Sequence, residues 1–276
     1  MRGLGYDDAA GISTGNRTIP KSKKRHIWII MVLLAPLLTL AICWLGYKGW
    51  IYLKLYTPFK VMRFNENFDN TMKIEDALCW EDEKYFCLYS NSHDNSLIAI
   101  AEGVSYSGGR SLRCTTGWKK GRIETGEIHI KTPGIYWVII DFKILIKDKI
   151  VSENKMEFDG LGPSVAIEFD KFDSPYSLLS FLENGSIEIR DDCTPLKLKR
   201  GHWYHARIRV EIDKNREQLT TYVSLDGRIF KKKQQYPRSW HSGEAPLHAE
   251  SNHFISFSAG GGTCYLDDIK IFAPRE

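Results

Sequence analysis

Residues 158–173, Phe-Asp-Gly-Leu-Gly-Pro-Ser-Val-Ala-Ile-Glu-Phe-Asp-Lys-Phe-Asp, are the stretch of this chain best equipped for chemistry. Alternation along a strand puts Val165, Ile167 and Phe169 on one face and Ala166, Glu168 and Asp170 on the other. Two carboxylates two residues apart on one face repel each other, and a hard cation with oxygen ligands relieves that repulsion. An ordinary solvent-facing strand carries the same pattern, so spacing alone leaves both readings open. Asp267 is the second candidate. By alternation it shares a face with Tyr265, Ile269 and Ile271, and a carboxylate in an apolar register must be paired, hydrogen-bonded or metal-bound. It can equally cap a turn.

Flat aromatic rings are the other feature that could hold a ligand. Trp118, Trp137 and Trp240 are the candidates for such a platform, with Trp203 and Tyr204 also available, although most aromatics of a β-protein are core. Trp137 lies opposite the apolar face of its strand, beside Asp141. His202, His205, His241, His248 and His253 form no metal-ligand spacing. Neither Cys-x-x-Cys pairs nor a phosphate-binding glycine loop occurs in the sequence.

The elements that must position these residues read as strands. In Gly134–Ile146, Tyr136, Val138, Ile140, Phe142 and Ile144 fall on one face. In Tyr204–Asp213, Ala206, Ile208, Val210 and Ile212 face in, while His205, Arg207, Arg209 and Glu211 face out. Asp226-Gly227 is a two-residue hairpin turn between Leu219–Leu225 and Arg228–Lys231. Phe254–Ser258, the run Gly260-Gly-Gly262 and Cys264–Phe272 close the chain. Many short strands with turn residues between them predict an all-β sandwich or jelly roll.

Ahead of these strands, Ile27–Leu45 runs nineteen residues without a charge, close to the roughly 20 apolar residues that cross a bilayer. Trp44, Tyr47, Trp50 and Tyr52 form an aromatic belt at its far end. Arg2, Arg17, Lys21, Lys23, Lys24 and Arg25 precede it against only Asp7 and Asp8, which keeps that end in the cytoplasm by the positive-inside rule. The expectation is a single-pass protein of the cell (plasma) membrane with its C-terminal domain outside. The formal net charge of +4 is the balance of residues 1–25 alone, so the rest is neutral and nucleic acid is excluded as a partner. Lys231-Lys-Lys233 reads as a solvated edge. Cys79, Cys87, Cys114, Cys193 and Cys264 fall outside the membrane, where disulfides persist. Cys79 and Cys87 are near enough for a local bridge, and spacing does not establish the pairing.

Val165-Ala-Ile-Glu-Phe-Asp-Lys-Phe172 resembles the metal-binding strand of legume-type lectins. Gly201–Asp213 with Tyr222–Gly227 resembles a strand pair shared by those lectins and laminin-G-like domains. Phe254–Gly262 is similar to a late lectin strand, and Tyr265–Ile271 to the last strand of many carbohydrate-binding modules. The ordered set resembles the concanavalin A-like superfamily across residues 105–276. The resemblance implies metal ligation by Glu168 and Asp170, but Ser174, Leu179 and Asn184 stand where the lectin pattern has Asn, Asp and His. It also implies a structural calcium near Asp267, with Asp69 or Glu66 as its partner. Glu168-x-Asp170-x-x-Asp173 resembles the catalytic strand of lichenase- and laminarinase-type glycoside hydrolases, which implies Glu168 as nucleophile, Asp170 as helper and Asp173 as acid. Retaining hydrolysis needs its two carboxyl groups about 5–5.5 Å apart, and an aspartate acid is one methylene short.

The expectation is therefore an all-β, concanavalin A-like β-sandwich (jelly roll) preceded by one transmembrane helix. Residues 1–25 are a cytoplasmic tail, 26–53 the membrane helix and its flank, 54–94 a connector and domain start, and 95–276 the sandwich. The expected role is binding of glycan or another extracellular polymer through Trp137, Trp118 and Trp240, with Glu168, Asp170 and Asp267 as metal ligands and calcium as the cofactor. The alternatives are a glycoside hydrolase using Glu168 and a non-catalytic laminin-G-like domain that binds protein.

Overall fold

A computed structural model of the chain describes residues 21–56, 60–79, 85–90, 97–119, 122–134, 136–149, 161–169, 176–182, 185–189, 192–194, 196, 198–213, 218–235 and 253–274. It divides into two compact units, Met1–Gly49 and Trp50–Glu276. Helix α1 spans Lys21–Leu55 with Pro36 inside it, and so continues ten residues past the end of the charge-free run. Its Leu34–Leu55 stretch has a mean hydropathy of 1.3 and is almost wholly exposed. It is long and apolar enough to cross a membrane.

The second unit is built of strands. These are β1 (Lys60–Glu66), β2 (Leu88–Ser90), β3 (Ile98–Glu102), β4 (Arg110–Lys119), β5 (Arg122–Thr125), β6 (Glu127–Thr132), β7 (Trp137–Lys149) and β8 (Leu161–Phe169). They continue with β9 (Tyr176–Leu182), β10 (Ile187–Ile189), β11 (Asp192–Thr194), β12 (Trp203–Asp213), β13 (Gln218–Leu225), β14 (Arg228–Gln235), β15 (His253–Ser258) and β16 (Gly262–Pro274). A four-residue helix, α2 (Ile74–Ala77), lies between β1 and β2. Among the described residues, one sheet has nine strands in the order β14-β13-β12-β7-β16-β4-β3, with β1 added to β16 and β5 to β4. The other has seven, ordered β11-β10-β9-β8-β15-β6-β2. The 54–94 segment thus supplies β1 and β2 to the two sheets.

The core is what period-2 patterning predicts. Val138, Ile140, Phe142 and Ile144 of β7 and Ala206, Ile208 and Val210 of β12 are buried against Ile128, Ile130, Val165, Ile167, Leu179 and Phe257 of the other sheet. Phe142 and Phe257 meet edge to face across the layers, with centroids 5.2 Å apart. Each fully buried Ile, Leu or Phe contributes about 1.5–3 kcal/mol. Tyr136 departs from expectation: it precedes the first residue of β7, so alternation does not reach it, and it is 66% exposed. The Asp226-Gly227 turn forms as expected. Both residues have positive φ, 46° and 78°, which suits the twist of the strands that they join.

β16 corrects a second expectation. Its register against β7 shifts between Asp267 and Lys270, and Asp268 has a φ of 51°. This bulge breaks the alternation. Leu266, Ile269 and Ile271 therefore all reach the core, while Asp267 stands opposite Lys143 in the outer row. Asp267 does not share a face with Ile269 and Ile271.

Outside the core, the last turn of α1 covers part of the nine-stranded sheet. Ile51 and Leu55 are buried with Tyr222, and Tyr56 and Ile229 pack beside them. Cys79 and Cys87 form a disulfide, their Cα atoms 6.1 Å apart. Cys114 and Cys264 face each other on β4 and β16, buried and unbridged. Their mutual hydrogen bond, and then burial, push the Cys114 thiol well above its usual range.

Candidate functional site

Strand β8 places the residues singled out first. Val165 and Ile167 are buried in the core, so positions 164, 166 and 168 lie in the outer row of the seven-stranded sheet. The registers extend that row across neighbouring strands. Ala166 stands between Ser177 of β9 and Ser256 of β15, Ser256 faces His129 of β6, and His129 faces Tyr89 of β2. In the next row Glu168 is opposite Phe254, which is opposite Lys131. On the other side Ser164 stands between Ser180 and Ser258, with Glu127 beyond.

This face is polar but not simply solvated. Ser256, His129 and Ser180 are buried. His129 Nε2 lies 3.8 Å from Glu127 Oε2, and the Ser177 and Ser180 hydroxyls are 2.7 Å apart. The Lys131 ammonium lies 5.9 Å from the Phe254 ring centroid and 5.8 Å from that of Tyr85. Tyr89, Lys131 and Phe254 are only half-buried and Tyr85 is exposed, and rings beside an ammonium can stack on and hydrogen-bond a polyhydroxylated chain. For Glu168 the structure describes the backbone alone. Asp170, Asp173 and Trp240 lie outside the described residues, as does the side chain of Trp118 on β4.

The remaining sequence candidates are elsewhere. Trp137 begins β7 on the nine-stranded sheet, and the Arg209 guanidinium lies 4.4 Å from its ring centroid. A protein cation therefore already holds a place over that ring. Asp267, also on the nine-stranded sheet, is 0% exposed. Its Oδ2 accepts the Tyr106 and Ser107 amides at 2.8 and 3.1 Å, and its Oδ1 accepts the Asp268 amide at 2.8 Å. Burial pushes this carboxyl up and outweighs the three amides that pull it down. Glu66 Oε1 accepts the Phe68 amide at 2.8 Å, and Asp69 Oδ1 accepts that of Gly109 at 3.0 Å. A calcium ion needs six to eight oxygens converging on one point. Among the described residues these carboxylates accept backbone amides. No three His, Cys, Asp or Glu side chains among the described residues are grouped to hold a metal. Glu168 and Asp267 are on different sheets and are not brought together.

The fold also assembles a charged cluster that sequence reasoning passed over. On the outer face of the nine-stranded sheet Asp141 is 6% exposed. It accepts His205 Nε2 at 2.8 Å and forms an ion pair with Arg207. Burial pushes the Asp141 carboxyl up, but His205 and Arg207 together hold it below its usual value. Beside it, Glu211 takes Lys54 and Arg209, each at 2.8 Å, and the Tyr222 hydroxyl at 3.1 Å. Arg209 also donates to the Lys54 carbonyl at 2.8 Å, satisfying a helix-terminal acceptor. The alternation His205-x-Arg207-x-Arg209-x-Glu211 was the visible signal. Its partners Asp141 and Lys54 lie 64 and 157 residues away from the groups they bind.

No protein-family model matches this sequence, and none of the curated proteins matches it. Solved structures do. The endo-1,3-β-glucanase from Streptomyces sioyaensis superposes with a TM-score of 0.50 at 9% identity, covering 80% of this chain and 99% of that one. β-Agarase A from Zobellia galactanivorans reaches 0.47 at 12% identity, with 78% and 93% covered. The basic winged bean lectin, solved with Tn-antigen, reaches 0.42 at 13% identity, with 78% and 98% covered. Two antiparallel sheets, their strand order and the superposition on the glucanase give one conclusion: the chain is a β-sandwich of the concanavalin A-like jelly-roll fold.

Proposed function

We propose that this chain is a membrane-anchored, extracytoplasmic β-sandwich that binds a glycan across the outer face of its seven-stranded sheet. The observation that carries the reading is the set of adjoining rows Tyr89–His129–Ser256–Ala166 and Lys131–Phe254–Glu168. In these rows Tyr89, Lys131 and Phe254 stay half-buried and offer two rings and an ammonium to a sugar, while His129, Ser256 and Ala166 are buried between them. The fold is shared with an endo-1,3-β-glucanase, and a glycan is the ligand class carried over from it. The anchor is α1, supported by its exposed apolar stretch. The basic residues before it support an N-terminus in the cytoplasm and a sandwich outside the plasma membrane.

The reading is tested by a glycan array with the full chain in neutral detergent, run with calcium and again with chelator. Saturable binding, weakened at least tenfold by Phe254→Ala or Lys131→Ala, is expected, without release of reducing ends. Absence of binding under both conditions overturns it in favour of a protein-interaction domain. Release of reducing ends that Glu168→Gln abolishes would make the protein a glycoside hydrolase instead. Loss of binding in chelator alone would make the binding metal-dependent and put Glu168, Asp170 and Asp267 first for substitution.

A further inference from the structure

We propose a second binding surface: the outer face of the nine-stranded sheet, where α1 ends, takes the headgroups of anionic phospholipids. A cleft of about 230 Å³ is lined there by Trp50, Leu53, Lys54 and Arg209. The Lys231 ammonium stands 4.4 Å from the Trp50 ring centroid. Glu211 is the one carboxylate paired with Lys54 and Arg209 among the described residues, so three cations face a single anion. Lys233 follows Lys231 on the same side of β14 and adds a fourth.

The excess is felt within the site. Burial, then the charge of Lys233, lower the pKa of Lys231 against the pull of Glu211, and Lys54 lowers it further. Lys60, on the same sheet face, is likewise pushed down by burial and then by Arg207. Arg209 is nine-tenths buried, and its Nε–H has no hydrogen-bond acceptor among the described residues. An orphaned buried donor is costly, and an anionic oxygen relieves both that cost and the cationic excess.

Apolar exposure identifies which anion. Leu53 is 65% exposed and Trp50 42% exposed, and both belong to the helix stretch that is apolar enough to cross a bilayer. Cations beside an exposed Leu and Trp match the boundary between headgroups and acyl chains. A free phosphate would use the cations and leave Leu53 and Trp50 in water. The inference rests on the anchored reading above.

The test uses the full chain in neutral detergent, titrated with short-chain phosphatidylglycerol, short-chain phosphatidylcholine or inorganic phosphate, and followed by tryptophan emission. Phosphatidylglycerol is expected to saturate the signal. Each basic residue near an anionic surface contributes about 1 kcal/mol, roughly fivefold in affinity. Lys231→Gln with Lys233→Gln should therefore raise the half-saturating concentration about 25-fold, and high salt should weaken wild-type binding similarly. Both lysines are on an edge strand, so the variant is expected to fold, and an unchanged melting temperature checks this. An equal response to phosphatidylcholine overturns the proposal, as does reproduction of the response by inorganic phosphate at the same concentration. Alkaline carbonate extraction from native membranes reads the anchor separately: a chain released by carbonate loses the anchored reading whatever the titration shows.

Discussion

Asp141 shows how much a single outward residue can matter in this sandwich. It receives His205 and Arg207 on a face that α1 partly covers. Replacing it with Asn leaves Arg207 with a buried charge and no carboxylate, and removing one partner of such a pair costs about 3 kcal/mol or more. The folded carboxyl is held below its unfolded value of about 3.9. Its contribution is therefore complete above that value and is lost as pH falls through the lower folded one. Urea denaturation should find Asp141→Asn less stable by about 3 kcal/mol at pH 7, with the gap to wild type closing as both are titrated below about pH 4. A constant gap down to pH 3 would rule out the ion pair as its source. Asp267 supports a different prediction. Asp267→Ala strands three amides in a buried place, for an expected loss of about 3 kcal/mol, whereas Asp267→Asn keeps an acceptor and loses less. Chelator should leave the wild-type melting temperature unchanged, and a fall seen in wild type but not in Asp267→Ala would put calcium at this carboxylate after all.

Two strands of similar composition differ at the level of elements in how openly they read. β12 alternates without interruption, and its inward and outward sets match the sequence pattern position by position. β16 carries equally clear apolar residues, yet its alternation is broken at Asp267-Asp268. The bulge falls where the neighbour of β16 changes from β4 to β1. The loop before β4 fits into that break, with Gly108 so close to Asp69 that a Cβ there would overlap its carboxylate. No local signal marks such a bulge, because Asp268 takes a left-handed conformation that glycine usually supplies. Strand β8 was legible for the opposite reason: Val165 and Ile167 alternate with small or polar residues, and the face follows.

For the molecule as a whole, the two sheets hold together through side chains contributed by both layers. Phe257 of the seven-stranded sheet meets Phe142 of the nine-stranded one and is almost fully buried. Phe257→Ala should cost about 3–5 kcal/mol, measured by chemical denaturation. A loss under 1 kcal/mol would mean that the layers pack independently of this contact. The two outer faces differ: one sets hydroxyls, His129 and aromatic rings in adjoining rows, the other carries the Asp141 and Glu211 ion pairs and the last turn of α1.

The sequence by itself determined the all-β class, the alternating core, the Asp226-Gly227 hairpin and the apolar helix, because each is a local pattern of side-chain polarity with period 2 or 3.6. Tertiary structure alone decided which outward rows join into a surface. It set Ser256 beside His129, drew Lys54 and Asp141 to β12, turned Asp267 toward backbone amides and laid Arg209 over Trp137. Those neighbours come from strand order and register between segments far apart in the chain, and local polarity carries no record of which strands will lie side by side.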